Sequence, residues 1–164
     1  MNCAVFPGSF DPFTIGHQQI AMRALAVCDK LIIAIGNNDA KKAMFTPEER
    51  QQRIAQIFAN EKRIETAIYK GLTIDFCQQA GAKLIVRGLR SVADCAQEIL
   101  IAQANQAMNS SIETVFFLAQ PAVSGISSTV VRDVIANGGN AAVFLPNNEQ
   151  RQKEQRYGME SQRG

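Results

Sequence analysis

The chain has 164 residues, 46% of them hydrophobic and 20% charged, which is typical of a single globular domain. Seventeen basic and fifteen acidic side chains leave a net charge of only +2, so we expect neither nucleic acid nor a membrane surface as a partner, and any anion site must be local. No apolar run approaches the roughly 20 residues of a membrane span, and the N-terminus shows no signal-peptide pattern.

Short apolar runs alternate along the chain with segments long enough to form helices. The runs predict strands at residues 3–6, 31–35, 64–69, 83–87 and 114–119. Helices are predicted over residues 17–28 and 73–79. Three more are predicted to begin at a capping box at Thr46, at Ser91 (ending at about 108) and at Ser127 or Ser128 (ending at Gly138). This alternation predicts an α/β fold of the doubly wound, Rossmann-like type, with a five-stranded parallel sheet and helices on both faces.

No linker, repeat or low-complexity block divides the chain. We expect one domain over residues 1–146 and a polar tail over 147–164, either a frayed helix or disordered, to which no function is assigned. The four cysteines lie far apart and lack metal-ligand spacing, so they predict buried, reduced thiols in a cytoplasmic protein. No metal-ligand set is expected in the chain itself.

The turn after the first predicted strand carries the chain's single histidine. Pro7-Gly8-Ser9 and Asp11–Phe13 lead into a helix that begins at Thr14 or Gly16. His17 then falls in the first helical turn, where free N–H groups and the positive end of the dipole favour a phosphate. Parallel sheets also bind ligands at the carboxyl ends of their strands. The alternative is a histidine that only caps the helix or fills a surface gap, and the turn alone does not decide.

Two motifs resemble those of the nucleotidyltransferase superfamily with the signature [HT]-x-G-H. The first is Thr14-Ile15-Gly16-His17, and the second is SGISSTVVR at residues 124–132. KKAMFTPEER (41–50) and LIVRGLRSVADCAQE (84–98) further resemble the bacterial phosphopantetheine adenylyltransferases. Members of that family join ATP and 4′-phosphopantetheine into dephospho-coenzyme A and pyrophosphate in coenzyme A biosynthesis. The resemblance covers about residues 2–146.

The resemblance implies a role for each matching residue. His17, Lys41 and Arg90 are implied to be catalytic, with His17 donating a hydrogen bond to the α-phosphate. The acceptor is implied to contact Ser9, Lys41, Thr73 and Arg87. ATP is implied to contact Ser9, Phe10, His17, Gly88, Leu89, Arg90, Glu98 and the segment Val123, Ser124, Gly125, Ile126, Ser127, Ser128 and Thr129. Val123 and Gly125 replace an aromatic residue that the family commonly carries there, so adenine is expected to meet backbone groups.

The family resemblance also implies partners and leaves two alternatives. It implies Mg²⁺ bound with ATP, coenzyme A as a product-like ligand, and a homohexamer. One alternative is an adenylyltransferase or cytidylyltransferase of the same superfamily with another phosphorylated acceptor, such as nicotinamide mononucleotide; residues 41–50 and 84–98 argue against it. The other is a nucleotide-binding regulatory module without catalysis, which the intact His17, Lys41, Arg87 and Arg90 argue against.

Overall fold

The computed structural model describes residues 2–38 and 42–147. Within these ranges the strands are β1 (Cys3–Gly8), β2 (Lys30–Gly36), β3 (Ile64–Tyr69), β4 (Leu84–Leu89) and β5 (Glu113–Leu118). The helices are α1 (Ile15–Ala24), α2 (Pro47–Ile57), α3 (Thr73–Gln79), α4 (Val92–Met108) and α5 (Ser128–Ala136). Short 3-10 turns follow at Pro121–Val123 and Ala142–Phe144. None of the described helices has the length and apolar character needed to cross a membrane.

The strands form one parallel sheet in the order β3-β2-β1-β4-β5. The chain therefore runs outward from β1 through β2 to β3 and then returns to the other side of β1 to form β4 and β5. The doubly wound α/β prediction is confirmed. Because the direction of winding reverses between β1 and β4, a crevice opens between the carboxyl ends of these two strands.

Side chains of successive strand residues point to opposite faces of the sheet, and each face packs on helices. On one face, Phe6 packs in a buried cluster with Ile20 of α1 and Ile54 of α2. On the other face, Val5 packs in a second cluster with Ile74 of α3. Helices thus cover both faces, as predicted, and strands buried on both sides explain why runs such as 31–35 are apolar throughout.

The predicted helix ends depend on local capping chemistry, and most are observed. The Thr46 hydroxyl accepts from the Glu49 N–H at 3.2 Å, and the Glu49 carboxylate accepts from the Thr46 N–H at 2.8 Å. Gly81 follows α3 with φ +65°, a conformation that glycine adopts at little cost. The first helix, however, ends at Ala24 rather than 28, because residues 26 and 27 bond three residues back and turn the chain into β2.

The first strand is longer than predicted. It continues through Pro7 to Gly8 in register with β2, whereas the prediction ended it at Phe6. The ladder between β1 and β4 includes only Ala4 and Val5, so the missing N–H of Pro7 removes no bond on that side. Of the predicted tail, only Asn147 lies within the described residues; residues 148–164 lie outside them.

Candidate active site

A cleft of about 570 Å³ opens at the carboxyl ends of β1 and β4. Its walls come from the β1–α1 turn, the N-terminal parts of α1, α4 and α5, and the end of β4. Many predicted site residues line it: Ser9, Phe10, His17, Arg87, Gly88, Arg90, Glu98, Val123, Ile126, Ser127, Ser128 and Thr129. Residues more than a hundred positions apart in sequence therefore meet in the crevice that the strand order creates.

The remaining predicted residues lie elsewhere. Leu89 is buried, with 9% of its surface exposed. Ser124 and Gly125 lie in the loop between Val123 and Ile126, which line the cleft, but do not line it themselves. Thr73 lines a neighbouring cavity of about 190 Å³, which shares Arg87 with the main cleft. Lys41 lies outside the described residues.

His17 both caps α1 and faces the cleft, so the two roles considered from the sequence coexist. The Thr14 N–H donates to Nδ1 of His17 at 3.0 Å, and the His17 N–H donates to the Thr14 hydroxyl at 3.4 Å. Because Nδ1 accepts a hydrogen bond from a backbone amide, a neutral His17 must carry its proton on Nε2. The cap thus selects the tautomer that leaves an N–H donor on the other edge of the ring.

Aromatic rings and arginines keep His17 neutral. The ring packs against Phe10 and Phe13 with centroid distances of 5.1 and 5.3 Å. Burial, and then the positive charges of Arg90 and Arg87, lower the pKa of His17 from 6.5 to about 4. At neutral pH His17 is therefore a hydrogen-bond donor without charge.

Arg87 is paired with Glu98, a contact that the sequence did not indicate. Its Nε and Nη2 donate to the two carboxylate oxygens of Glu98 at 2.6 and 2.5 Å, and Nη1 donates to the Pro7 carbonyl at 2.9 Å. The side chains are 27% and 16% exposed, so the pair is open to the cleft on one side. The bidentate geometry is the one that a phosphate would also use.

Arg90 and Asp94 form a second pair in the wall of the cleft. Arg90 Nε donates to the Asp94 carboxylate at 3.1 Å, and the two residues are four positions apart around the start of α4. The Arg90 side chain is 43% exposed, so its guanidinium can exchange partners at little cost. Ser91 caps α4 as predicted, its hydroxyl accepting from the Asp94 N–H at 3.3 Å.

The hydroxyl groups at the start of α5 all have partners within the protein. Ser127 is the N-cap and accepts from the Val130 N–H at 3.2 Å. The Ser128 hydroxyl donates to the Pro12 carbonyl at 2.8 Å, and the Thr129 hydroxyl accepts from Arg132 at 3.2 Å. The first backbone N–H groups of α5 are those that a helix leaves without intrahelical partners, and such groups favour an anion.

Several residues that shape the site were missed from the sequence. Arg132 donates to the Asp11 carbonyl at 2.7 Å and lines the cleft, and its place in the second motif was the available signal. The buried Asp11 carboxylate accepts from the Met44 and Phe45 N–H groups at 2.8 and 2.9 Å. Neither role follows from local sequence, because both depend on which loops meet in space.

Gly8 has a steric role within the protein. A Cβ at this position would lie 2.8 Å from Cζ of Phe10, closer than real side chains approach. The Phe10 ring, in turn, lies edge-on to the His17 ring. Glycine at position 8 is therefore needed for the packing that supports His17.

The chain is similar to characterised protein families over most of its length. A family model described as cytidylyltransferase-like matches residues 5–134. Phosphopantetheine adenylyltransferase from Flavobacterium psychrophilum is 48% identical over 146 residues, which cover 89% of this chain and 96% of that protein. The protein of the same name from Christiangramia forsetii is 47% identical with the same coverage.

Solved structures share the fold at much lower sequence identity. One is a bifunctional NMN adenylyltransferase/ADP ribose pyrophosphatase from Francisella tularensis, with a TM-score of 0.63 and 18% identity. The match covers 88% of this chain and 44% of that chain, and identity this low supports the fold alone. The curated relatives are far more similar and are matched over almost their whole length, so the chain belongs to the phosphopantetheine adenylyltransferase family.

Proposed function

We infer that the protein transfers the adenylyl group of ATP to 4′-phosphopantetheine, giving dephospho-coenzyme A and pyrophosphate in coenzyme A biosynthesis. The observation that carries this conclusion is the convergence of His17, Arg87 and Arg90 in one cleft of a chain from this family. An oxygen of the acceptor phosphate attacks the α-phosphorus of ATP, and the bond to the β-phosphate oxygen breaks. No covalent enzyme intermediate is needed, so positioning and charge stabilisation carry the catalysis.

His17 is proposed to donate from Nε2 to an oxygen of the α-phosphate. That oxygen gains charge as the phosphorus becomes five-coordinate, so a fixed donor stabilises the transition state more than bound ATP. The Thr14 N–H holds the ring in place, and the low pKa of His17 keeps it neutral. The N-terminus of α1 contributes its dipole in the same direction.

Arg87 is proposed to bind the phosphate of the acceptor, together with Ser9 and Lys41. Since the guanidinium is already paired with Glu98, the incoming phosphate replaces one bidentate anion with another. Glu98 is then available to accept hydrogen bonds from the ribose of ATP. The 190 Å³ cavity beside Arg87, lined by Thr73, is proposed to hold the pantetheine arm.

The leaving β- and γ-phosphates are proposed to bind Arg90 and the start of α5. The N–H groups of residues 127–129 supply fixed donors at the positive end of the helix dipole. The adenine is proposed to lie against Gly88 and the backbone of Val123 and Ile126, which line the cleft. This arrangement puts Arg87 at the acceptor phosphate and Arg90 at the leaving phosphates, with the neutral donor of His17 at the α-phosphate between them.

Mg²⁺ is proposed to enter the site with ATP. Among residues 2–38 and 42–147, no three His, Cys, Asp or Glu side chains are grouped so that they could hold a metal ion. A cleft without such a group is compatible with Mg²⁺, because this ion is commonly held by nucleotide phosphates and water. Bound there, the ion supplies positive charge to the polyphosphate, and the side chains of the cleft need only orient the complex.

A homohexamer, a cytoplasmic location and coenzyme A as a product-like ligand complete the proposal. Apolar side chains on α4 and β5 are exposed in the single chain, with Val92 90%, Leu100 67% and Leu118 69% accessible, and their burial would favour assembly. The free cysteines suit a reducing compartment. Light scattering is expected to give six times the chain mass, and a monomer at all concentrations would contradict the hexamer.

An acceptor comparison tests the proposed function. ATP and Mg²⁺ are supplied with 4′-phosphopantetheine, pantetheine or nicotinamide mononucleotide, and pyrophosphate release is followed. Turnover is expected with 4′-phosphopantetheine and with neither of the other two acceptors. Pantetheine lacks the phosphate, which is both the attacking group and the group that Arg87 is proposed to bind. Turnover with nicotinamide mononucleotide and none with 4′-phosphopantetheine would overturn the assignment, and ATP binding without turnover for any acceptor would indicate a regulatory module.

A further inference from the structure

The motif KKAMFTPEER ends in Arg50, a charged side chain with only 5% of its surface exposed. Arg50 lies in the second turn of α2, outside the cleft. Its Nε donates to the Phe45 carbonyl at 3.1 Å, and its Nη1 donates to the Ser9 carbonyl at 2.5 Å. Burying a guanidinium is costly unless its hydrogen bonds are made, and one of these bonds reaches the β1–α1 turn, 41 residues earlier in the chain.

The peptide that Arg50 holds is the one between Ser9 and Phe10. A peptide group is planar, and its C=O and N–H point in opposite directions. A donor fixed on the Ser9 oxygen therefore also fixes the direction of the Phe10 N–H. Phe10 has φ +48°, a backbone conformation that residues other than glycine adopt only when the surroundings impose it. The hydrogen bond from Arg50 is a contact of the surroundings with the peptide that directly precedes this residue.

Other contacts hold the later part of the same turn. Arg132 donates to the Asp11 carbonyl, Ser128 donates to the Pro12 carbonyl, and the Asp11 carboxylate accepts from the 44–45 backbone. Among the hydrogen bonds of the described residues, the one from Arg50 is the side-chain bond to the Ser9–Phe10 peptide. This peptide directly precedes the ring that packs on His17 at 5.1 Å.

We propose that Arg50 is a positioning residue for the transfer reaction. Through the Ser9 carbonyl it sets the direction of the Ser9–Phe10 peptide, and thereby the Ser9 side chain in the cleft and the Phe10 ring against His17. Arg50 touches no substrate. The proposal rests on the proposed function, and it explains why a buried arginine stands at the end of a motif whose lysines precede it by eight and nine residues.

The test uses Arg50→Met, Arg50→Lys and the matched control Arg53→Met in the full chain without a histidine tag. Arg53 lies on the same helix and its guanidinium stacks over the Phe45 ring at 3.9 Å, whereas the donor to the Ser9 carbonyl is Arg50. The control therefore removes an equal charge from α2 and keeps the bond under test. Turnover is measured with ATP and 4′-phosphopantetheine at a temperature where each variant is folded, and ATP affinity is measured by calorimetry. The NMR resonance of the His17 ring is followed as well, since it is the chain's single histidine.

We expect Arg50→Met to lower kcat at least about tenfold, because small misplacements of reacting groups cost that much or more, with ATP affinity changed by less than about threefold. Arg50→Lys should lie between it and the wild type, since an ammonium has one nitrogen where the planar guanidinium bonds the two carbonyls from separate nitrogens. The His17 resonance should shift in the Arg50 variants but not in Arg53→Met. If Arg50→Met does not fold, Arg50→Lys carries the test.

Two results would overturn the proposal: a folded Arg50 variant with wild-type kcat, or an unchanged His17 resonance. The NMR measurement needs no substrate. A shifted resonance in a protein whose wild type fails to use 4′-phosphopantetheine would therefore support the role of Arg50 in shaping the turn and refute only the proposed function.

Discussion

Replacing His17 with alanine is expected to reduce turnover with little effect on ATP binding. The structure defines what is lost: one neutral N–H donor on Nε2, held by the bond from Thr14 to Nδ1. Removing a single preorganised donor that acts in the transition state typically costs about 10²–10³ in rate, equivalent to about 2.7–4 kcal/mol. Because the pKa of His17 is about 4, no charge is removed with the ring, so a larger loss is not expected.

The assay is pyrophosphate release under saturating ATP and 4′-phosphopantetheine, with the dissociation constant of ATP measured separately. His17→Gln is the matched control, because its amide keeps a neutral donor and should recover part of the lost rate. The wild type and His17→Gln should show parallel dependence of kcat/KM on pH between about 6 and 8, since His17 does not titrate there.

Two outcomes would refute this reasoning. A folded His17→Ala variant with near-wild-type kcat would remove His17 from the mechanism. Equal losses in kcat and in ATP affinity would indicate that His17 serves in ground-state binding rather than in the transition state.

Three further predictions concern the surroundings of His17 and Arg87. The pKa of His17 is about 4 in the folded protein, below its ordinary value of 6.5, so the unfolded chain binds more protons between these two pH values. As the pH drops from 6.5 to 4, the free energy of unfolding should therefore fall further in the wild type than in His17→Gln, by at most about 3 kcal/mol. Equal slopes of the free energy of unfolding against pH, measured by denaturant titration, would contradict this. Glu98→Gln should tighten binding of 4′-phosphopantetheine in the absence of ATP by about two- to tenfold, because it removes the carboxylate that is paired with Arg87. Calorimetry with pantetheine as the control should show no such gain in affinity. An unchanged affinity for 4′-phosphopantetheine would argue against competition between its phosphate and Glu98 for Arg87. Gly8→Ala should lower the free energy of unfolding by about 1–3 kcal/mol, since the new methyl group overlaps the buried Phe10 ring; wild-type stability and turnover in this variant would show that the ring moves freely.

The order and type of the elements follow from local features of the sequence. Apolar runs long enough for a strand, the capping box at Thr46 and Glu49, and glycines after α3 and α5 act over a few residues, so each can be recognised without knowing the fold. The same locality explains the errors. The continuation of β1 through Pro7 depends on its pairing with β2. The bonds of residues 26 and 27 to carbonyls three residues back, which end α1 after Ala24, are not indicated by the apolar pattern of residues 17–28.

The identity of the candidate site also came from the sequence, through the motifs at residues 14–17 and 124–132 and the segments 41–50 and 84–98. Residues of three of these stretches, 14–17, 84–98 and 124–132, line one cleft, as expected from the general property that doubly wound sheets bind ligands at the carboxyl ends of their strands. The hydrogen-bond partners of the charged side chains do not follow from that property. Arg87 bonds to Glu98, and Arg50 bonds to Ser9.

The sequence by itself therefore determined the class of fold, the family and the residue types available for phosphate chemistry. Only the tertiary structure decided which of those residues are already paired and which donor is left facing the cleft. The physical reason is the range of the interactions: helix caps and strand patterns are satisfied within a few residues, whereas a long charged side chain finds its partner among groups that the strand order brings together.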